Sequence, residues 1–405
     1  MLRFGMSSEQ VAEHYNAVKE VGVEKRTESR IFYMRNFNNW VKSMLINEIL
    51  GHLRQDGVQF PRVLDIGCGK GGDLRKWDIA RVSSVTMTDI ADVSIEQARD
   101  RYKEMKDRNR RNFFFPAEFI VADSTKDDLM EKYANKVPFD ISSCQFSLHY
   151  SFCDEQSART YIRNAVGNLK PGGFFIGTLP DANRIVWAAR QGNGMFKNAV
   201  CSITFENTEQ LLNEQLPHFG AKFHFTLDEQ VNCPEFLAHF SLLQKILVDE
   251  FDMDLVFVRQ FPDAAKKWMA SREGRELASK MRALEKYPPF PGQNPAGEAD
   301  EYGYAEEQLK KMNEDGKKQK YIECLSKSEW EAVCMYLVFA FRKRKPESEK
   351  KPEEEVKEAE EDRKRKCPAE DEAAGDEVLE KRQKIEEEES GQEQDRDSGE
   401  QGGTE

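Results

Sequence analysis

The 405-residue sequence lacks several patterns that would assign a protein to a class directly. Its eight cysteines form no CxxC pair, so the commonest zinc-binding and redox motifs are missing. It contains no secretory signal and no apolar run of about 18 residues, the length needed by a membrane-spanning helix. We therefore expect a soluble, unsecreted protein with no membrane partner and no metal site, whose cysteines are reduced thiols of the core.

The excess of acidic charge is confined to the end of the chain. From Pro346 onwards there are 24 acidic and 11 basic residues, and this balance of −13 equals the net charge of the whole chain. Such a Glu/Lys-rich segment cannot bury a core, so residues 346–405 are predicted to be a disordered tail. Its basic clusters, Arg363–Lys366 and Lys381–Lys384, are typical of a bipartite nuclear import signal, with ordinary charge alternation as the alternative.

The clearest motif lies at residues 63–74. The apolar run Val63–Ile66 predicts a buried strand, and four glycines follow within the six positions 67–72, before a segment with helical spacing. Glycines are needed where the backbone turns sharply and a ligand approaches closely. A GxG pattern alone also occurs in phosphate-binding loops, but here Lys70 is followed by glycine rather than Ser or Thr, which excludes a P-loop.

Two aspartates accompany this loop. Asp65 lies on the predicted strand itself, and Asp89 ends the next predicted strand, Val82–Thr88. A carboxylate at the end of that second strand can accept hydrogen bonds from both hydroxyls of a ribose. The alternative is that both aspartates only cap the helices that follow. The order of strand, glycine loop, helix, strand and terminal acid favours nucleoside binding.

Strand-like and helix-like segments continue to alternate, the pattern of a parallel sheet covered on both faces. Further strands are predicted at Phe119–Ala122, Phe139–Cys144 and, after a turn at 169–173, Phe174–Thr178. Asp123 and Gln145 directly follow two of these strands, as Asp89 follows its own. Ligands bind beyond the carboxyl ends of such strands, so we expect these side chains and the glycine loop to form one site.

The segment before the loop is predicted to be an amphipathic helix at 37–53, from apolar residues that recur at a spacing of four. Asn38, Asn39 and Lys42 share its polar face. Composition alone leaves open whether this face is merely solvated or functional. Asparagine is a poor helix former, so two of them near the start of a helix indicate either a functional role or a cap.

The rest of the chain is assigned more coarsely. We predict an N-terminal helical segment at 1–30, an inserted β element within 181–235, a helix at 235–250, a sixth strand at 255–258, a mobile lobe at about 271–320, and a last antiparallel strand at 334–341.

The D-x-G-x-G pattern at 65–69 resembles the first motif of class I S-adenosylmethionine-dependent methyltransferases. Longer strings across residues 6–342 resemble the eukaryotic mRNA cap guanine-N7 methyltransferases, in their vertebrate form. The strings that carry this resemblance are Arg35–Trp40, Val63–Leu74, Thr88–Ser94, Cys144–Phe146, His149–Phe152, Pro234–Phe236 and Ser326–Glu331.

The resemblance implies a class I, Rossmann-like α/β fold with a mostly parallel seven-stranded sheet, an inserted lobe and a catalytic domain at 31–345. It implies methyl transfer from S-adenosylmethionine to N7 of the guanosine cap of mRNA, by in-line attack without a general base or metal. The implied partners are the capped mRNA 5′ end, a small activating subunit near the lobe and a nuclear import receptor, with the protein in the nucleus. The alternatives are a methyltransferase of the same fold for a small molecule or protein, and a non-catalytic binding subunit.

The resemblance also implies two sets of site residues. The S-adenosylmethionine site would be lined by Lys42, Gly67, Asp89, Asp123, Gln145 and Tyr150. The capped RNA would be held by Asn38, Asn39, Lys70, Lys76, Arg101, His149, Glu235 and Tyr336.

Overall fold

The computed structural model describes residues 27–109, 114–213, 215–228 and 230–346, together with Glu13 and Asn16. Most of the predicted helical segment at 1–30, and the tail at 346–405 apart from its first residue, lie outside this part of the chain. The strands are β1 (Arg62–Ile66), β2 (Ser84–Asp89), β3 (Ala117–Val121), β4 (Phe139–Gln145), β5 (Leu169–Pro180), β6 (Met195–Lys197), β7 (Cys201–Thr204), β8 (Lys222–Leu227), β9 (Val231–Phe236), β10 (Met253–Gln260), β11 (Glu285–Tyr287), β12 (Ile322–Cys324) and β13 (Tyr336–Lys343).

The α-helices are α1 (Phe32–Gln55), α2 (Leu74–Ala80), α3 (Asp92–Arg108), α4 (Leu129–Lys132), α5 (Glu155–Val166), α6 (Ala182–Gln191), α7 (Thr208–Asn213), α8 (Phe240–Glu250), α9 (Phe261–Ala270), α10 (Arg272–Met281), α11 (Gly303–Glu314) and α12 (Lys327–Val333). Short 3₁₀ helices span Leu148–Cys153 and Ala299–Tyr302.

A seven-stranded sheet forms the centre of the fold, in the order β10-β13-β5-β4-β1-β2-β3. The pairs β1–β2, β1–β4, β2–β3 and β4–β5 are parallel, whereas β13 is antiparallel to both β5 and β10. The predicted mostly parallel α/β sheet, with an antiparallel last strand, is confirmed. The carboxyl ends of β1, β2 and β4 are neighbours, which places the glycine loop, Asp89 and Gln145 at one edge.

The helix α1 covers the sheet through one apolar stripe. It begins five residues before the predicted start, and its buried residues include Trp40, Val41, Leu45 and Ile49. Burying side chains of this size stabilises the fold by about 1.5–3 kcal/mol each. Trp40 Nε1 also donates to the carbonyl oxygen of Gly274, 3.0 Å away, and so connects α1 to α10. None of the described helices is both long and apolar enough to span a membrane.

The turn predicted at 169–173 is wrong, because these residues belong to β5. Pairing with β4 passes from Phe139–Leu169 to Ile141–Phe174, so extra residues of β5 are accommodated in a bulge. Gly172 has φ +79°, a value that suits glycine in such a bulge. The Pro-Gly-Gly sequence therefore marks an irregularity within a strand and not its beginning.

The predicted helix at 235–250 also needs correction at its start, because α8 begins at Phe240. Residues 231–236 form β9 instead, and Glu235 lies opposite Phe223 of β8. β9 is the edge strand of an antiparallel sheet, β6-β7-β8-β9, which is the predicted inserted β element. Pro234 is tolerated there because one side of an edge strand needs no backbone donor. Glu235 is therefore a strand residue that cannot cap the helix.

Candidate functional site

The glycine loop between β1 and α2 is pinned to β2 by its backbone. The amides of Gly67 and Cys68 donate to the carbonyl oxygen of Thr88, at 2.8 and 3.0 Å. Gly67 and Gly69 have φ +67° and +51°, which L residues rarely adopt. A Cβ on Gly67 would lie 2.5 Å from Ser147, whereas one on Gly69 would meet no described atom within 4 Å. The loop thus leaves open space beside Gly69 at the carboxyl end of the sheet.

Asp89 faces this space and is half-buried. Its Oδ2 accepts from the Gly69 amide at 2.7 Å, and its Oδ1 accepts from the Ala91 amide at 2.9 Å. Burial raises the pKa of the carboxyl, and the backbone amides oppose this shift. The residue at the N-terminal cap of α3 is Ala91, so Asp89 does not cap that helix. Each carboxylate oxygen keeps lone pairs that two ribose hydroxyls can use.

The neighbouring strand ends contribute Asp123 and Gln145. Asp123 accepts from the amide and hydroxyl of Thr125, at 3.0 and 2.6 Å, and pairs with Lys126 at 3.2 Å. Gln145 donates through Nε2 to Ser143 Oγ at 3.0 Å. Its Oε1 is buried and has no hydrogen-bond partner within the described part of the chain. An orphaned buried acceptor at a strand end is the kind of group that a ligand donor satisfies.

The polar face of α1 packs toward the glycine loop, so it is more than a solvated surface. Asn39 Oδ1 accepts from Lys76 Nζ at 3.0 Å. Lys42 Nζ lies 2.8 Å from Asp73 Oδ1, and the Lys42 side chain is only 13% exposed. The Asn38 Oδ1 atom is buried without a hydrogen-bond partner among the described residues. The structure thus brings Asn39 and Lys42 into contact with the start of the helix that follows the loop.

A second cluster forms around Glu235. Tyr150 donates its hydroxyl to Glu235 Oε1 at 3.2 Å. His149 Nε2 lies 3.3 Å from Glu235 Oε2, an electrostatic contact outside hydrogen-bond geometry. Glu235 and His149 are 4% and 2% exposed, so both have been removed from water. Because β9 supplies Glu235 and the 3₁₀ helix after β4 supplies its partners, the site joins the main sheet to the inserted one.

Three predicted site residues remain, namely Lys70, Arg101 and Tyr336. Lys70 lies within the glycine loop and Arg101 on α3, and both are half-buried. Tyr336 begins β13 and is buried. Its ring contacts Phe146 edge-on, with centroids 5.1 Å apart, and Phe261 at 5.6 Å. By geometry Tyr336 is a core aromatic beside the strand end that carries Gln145.

Sequence analysis missed two features of this region. Phe146, directly after Gln145, has φ +59°, a strained value for an aromatic residue and one that concentrates at functional sites. Asp73, the residue after the glycine loop, forms ion pairs with Lys42 and Lys76. The backbone strain leaves no signal in the sequence. For Asp73 the only signal was an acid placed directly after the glycines.

Asp65 and Asp73, the acids before and after the loop, have pKa values shifted in opposite directions. Burial, and then the negative charge of Asp73, raise the pKa of Asp65 to about 7. Trp77 Nε1 donates to Asp65 Oδ2 at 3.0 Å. Burial of Asp73 acts in the same direction, but Lys42 and Lys76 outweigh it and hold the pKa of that carboxyl well below its usual range. Asp65 therefore carries a proton over much of the range in which Asp73 is ionised.

Replacing Asp65 with asparagine should remove a pH dependence of stability. The folded protein keeps the Asp65 proton up to about pH 7, whereas the unfolded chain releases it at about pH 4. The free energy of unfolding should therefore fall by on the order of 2–4 kcal/mol as pH rises from about 4 to 7. Asp65→Asn, which still accepts from Trp77, should lack this decline in urea titrations. Parallel curves for both proteins across that range would refute the assignment.

The described residues contain no group of three or more His, Cys, Asp or Glu side chains placed to hold a metal ion. The cysteines of the described part carry free thiols, and those at 144, 201, 233 and 324 are buried. Burial raises the pKa of the Cys201 thiol to about 12 and that of Cys233 to about 11, so both are protonated at neutral pH.

Comparison with known proteins adds the family. Residues 5–344 match the model of the mRNA (guanine-N(7))-methyltransferase domain. The chain is 57% identical to an mRNA cap guanine-N(7) methyltransferase of Caenorhabditis elegans, over 85% of this chain and 89% of the relative. It is 41% identical to the enzyme of that name in Drosophila melanogaster, over 83% and 77% of the two chains. The Oryza sativa subsp. japonica mRNA cap guanine-N(7) methyltransferase 1 is 37% identical, over 84% and 82%.

These relatives come from a nematode, an insect and a plant, and they confirm the eukaryotic family. The finer likeness to the vertebrate form stays a prediction. The match spans all of the described elements, from α1 to β13. The chain belongs to the mRNA (guanine-N(7))-methyltransferase family.

Proposed function

We propose that this protein transfers the methyl group of S-adenosylmethionine to N7 of the guanosine that caps the 5′ end of mRNA. The observation that carries the proposal is the buried carboxylate of Glu235, close to Tyr150 and His149, in a chain that also keeps the loop and acid of a nucleoside site. A buried carboxylate can accept hydrogen bonds from the donor edge of guanine, which presents N1–H and an amine.

The residues beside the glycine loop fit S-adenosylmethionine. The space beside Gly69 admits a ligand, Asp89 can accept from ribose hydroxyls, and Gln145 Oε1 lacks a donor among the described residues. When bound, S-adenosylmethionine supplies a methyl group on a sulfonium, from which the neutral thioether S-adenosylhomocysteine is a good leaving group. We assign Lys42, Gly67, Asp123 and Tyr150 to the same site.

The reaction requires no acid–base catalysis by the protein. Guanine N7 carries an available lone pair at neutral pH, so no general base is needed. Catalysis then consists of holding the guanine in line with the methyl group, and such positioning can contribute roughly 7–11 kcal/mol. The rigid strand ends and the two-sheet junction at Glu235 are suited to this task.

Glu235 would act through charge. Methylation leaves a positive charge on the guanine ring, and a carboxylate with 4% exposure stabilises that charge more than it would in water. Tyr150, which donates to Oε1, holds the carboxylate in one orientation. His149, beside Oε2, would complete the guanine pocket together with Tyr336.

The cap phosphates need cations, and the site offers three. Lys70 lies in the glycine loop, Lys76 on α2 and Arg101 on α3. Asn38 and Asn39 would contact the RNA from α1, where Asn39 already holds the Lys76 ammonium at 3.0 Å. Ionic hydrogen bonds to phosphate oxygens position the substrate without reading its sequence.

Cap recognition can be tested by binding alone. Calorimetry with GpppG and ApppA, each in the presence of S-adenosylhomocysteine, should show at least ~10-fold tighter binding of GpppG, because adenine cannot donate from N1 or C2 to Glu235. Equal affinities would favour a methyltransferase of the same fold with another substrate. An absence of S-adenosylhomocysteine binding would favour a non-catalytic subunit.

The tail is proposed to serve nuclear localisation rather than catalysis. Deleting residues 346–405 should leave methyl transfer in vitro unchanged, because α1 to β13 end at Lys343. The truncated protein should leave the nucleus, since it loses both basic clusters. A full-length control with glutamines in those clusters should behave in the same way. Nuclear retention of both variants would mean that an import receptor does not bind this tail.

The lobe at about 271–320 is proposed to be mobile and to bind a small activating subunit. Arg30 pairs with Glu301 of the lobe at 2.7 Å, and Asn36 Nδ2 of α1 donates to the carbonyl oxygen of Arg282 of the lobe at 3.1 Å. A partner that orders the lobe would thus also stabilise the position of α1, the helix that carries Asn38 and Lys42.

Hydrogen exchange measures this effect directly. Amides of 285–320 should gain protection when the subunit is added, and affinity for S-adenosylhomocysteine should rise, while β1 serves as the internal control. Unchanged protection together with unchanged affinity would rule the proposal out.

A further inference from the structure

Asp73 joins the two helices on either side of the glycine loop. Its Oδ1 lies 2.8 Å from Lys42 Nζ of α1 and 2.6 Å from Lys76 Nζ of α2. Lys76 Nζ also donates to Asn39 Oδ1 at 3.0 Å. The side chains of Asp73, Lys42 and Lys76 are only 7%, 13% and 11% exposed. One buried carboxylate therefore forms ion pairs with two buried ammonium groups.

Burying three charged side chains opposes folding, because each loses its hydration, unless ion pairs and hydrogen bonds offset that loss. Burial lowers the pKa of Lys76, and the charge of Asp73 opposes that shift. Removing one member of a buried ion pair leaves the other charge uncompensated, which is far more harmful than losing a surface pair. The triad of Asp73, Lys42 and Lys76 carries one net positive charge, so it can still attract an anionic ligand. Asp73 makes no side-chain cap on α2, although it precedes that helix.

We propose that Asp73 is a positioning residue that couples the methyl-donor site to the cap site by holding Lys42 and Lys76 on one carboxylate. This inference rests on the proposed function, in which Lys42 faces S-adenosylmethionine and Lys76 faces the cap. When Asp73 loses its charge, both ammonium groups lose their fixed positions. When either lysine is lost, Asp73 holds the other more closely and withdraws it from its ligand.

The isosteric variant Asp73→Asn tests the first consequence. Its dissociation constant for S-adenosylhomocysteine and its KM for GpppG-capped RNA should each rise about 10-fold, with a smaller change in kcat. In a Lys76→Met background, Asp73→Asn should raise the KM for capped RNA no further. In a Lys42→Met background it should not weaken S-adenosylhomocysteine binding further. Additive losses in both backgrounds would mean that Asp73 acts independently of the lysines, and would overturn the proposal.

Lys76→Met alone tests the coupling even if Asp73→Asn does not fold. Lys76 is assigned to the cap, yet its loss should weaken S-adenosylhomocysteine binding several-fold, through Asp73 and Lys42. Asp78→Asn, which changes the aspartate that lies within α2, is the control and should leave this affinity unchanged. A Lys76→Met protein with wild-type affinity would show that the two sites do not share Asp73.

Calorimetry with S-adenosylhomocysteine needs no RNA, so the two proposals can fail separately. If the wild-type protein does not methylate capped RNA, the proposed function falls, while the response of S-adenosylhomocysteine affinity to Asp73→Asn and Lys76→Met still decides the role of Asp73.

Discussion

Asp89→Ala should weaken binding of S-adenosylmethionine by roughly 100-fold or more and abolish methyl transfer at ordinary concentrations. Each hydrogen bond to a charged group contributes about 1.5–3 kcal/mol, and Asp89 can accept one from each ribose hydroxyl. Two such bonds correspond to at least about 100-fold in affinity. Calorimetry with S-adenosylhomocysteine gives the dissociation constant directly.

Loss of ligand contacts in Asp89→Ala must be distinguished from disruption of the loop, because Asp89 also accepts from the amides of Gly69 and Ala91. Losing these acceptors costs about 1–3 kcal/mol each at most, less than the usual stability of a domain, so circular dichroism should show a folded protein. Asp92→Ala removes an exposed carboxylate from the first turn of α3, three residues after Asp89, and should bind normally. Unchanged affinity in Asp89→Ala would leave the ribose without its assigned acceptor.

Glu235→Gln should lower kcat/KM for capped RNA by about 10- to 100-fold, the effect of about 1.5–3 kcal/mol from one ionic hydrogen bond. The substitution removes the negative charge that is proposed to face the guanine but keeps an oxygen for the Tyr150 hydroxyl. Binding of S-adenosylhomocysteine should therefore be preserved. Steady-state kinetics with GpppG-capped RNA, alongside calorimetry, measure both quantities.

Glu285→Gln is the matched control for this experiment. Glu285 is also buried and also accepts from a tyrosine, Tyr302, at 2.6 Å, but it lies on β11 and outside the proposed site. It should leave kcat/KM unchanged. If Glu235→Gln retains full activity, or if Glu285→Gln loses as much, then the Glu235 carboxylate has no special role toward the guanine.

The part of the site that could be predicted from the sequence depends on local patterns. A strand followed by glycines and an acid has few structural solutions, and parallel strands bring their carboxyl ends to one edge. Asp89, Gln145 and the glycine loop were therefore predicted to converge, and the structure places them at neighbouring strand ends.

The part of the site that could not be predicted depends on contacts between segments that are distant in the sequence. Glu235 reaches Tyr150 across 85 residues, and Lys42 reaches Asp73 across 31. Helical spacing after Phe240 suggested that Glu235 began a helix, because no local pattern revealed the edge strand β9. Asp73 had no local signal beyond its place directly after the glycines, and only the packing of α1 on α2 shows its ion pairs.

The most direct measurement is the transfer of labelled methyl from S-adenosylmethionine to two RNAs that differ only in their caps, GpppG and ApppG. We predict label in the GpppG-capped RNA alone, recovered as 7-methylguanosine after digestion. Equal labelling of both RNAs, or label recovered in any other nucleoside, would contradict the assignment as a cap guanine-N7 methyltransferase.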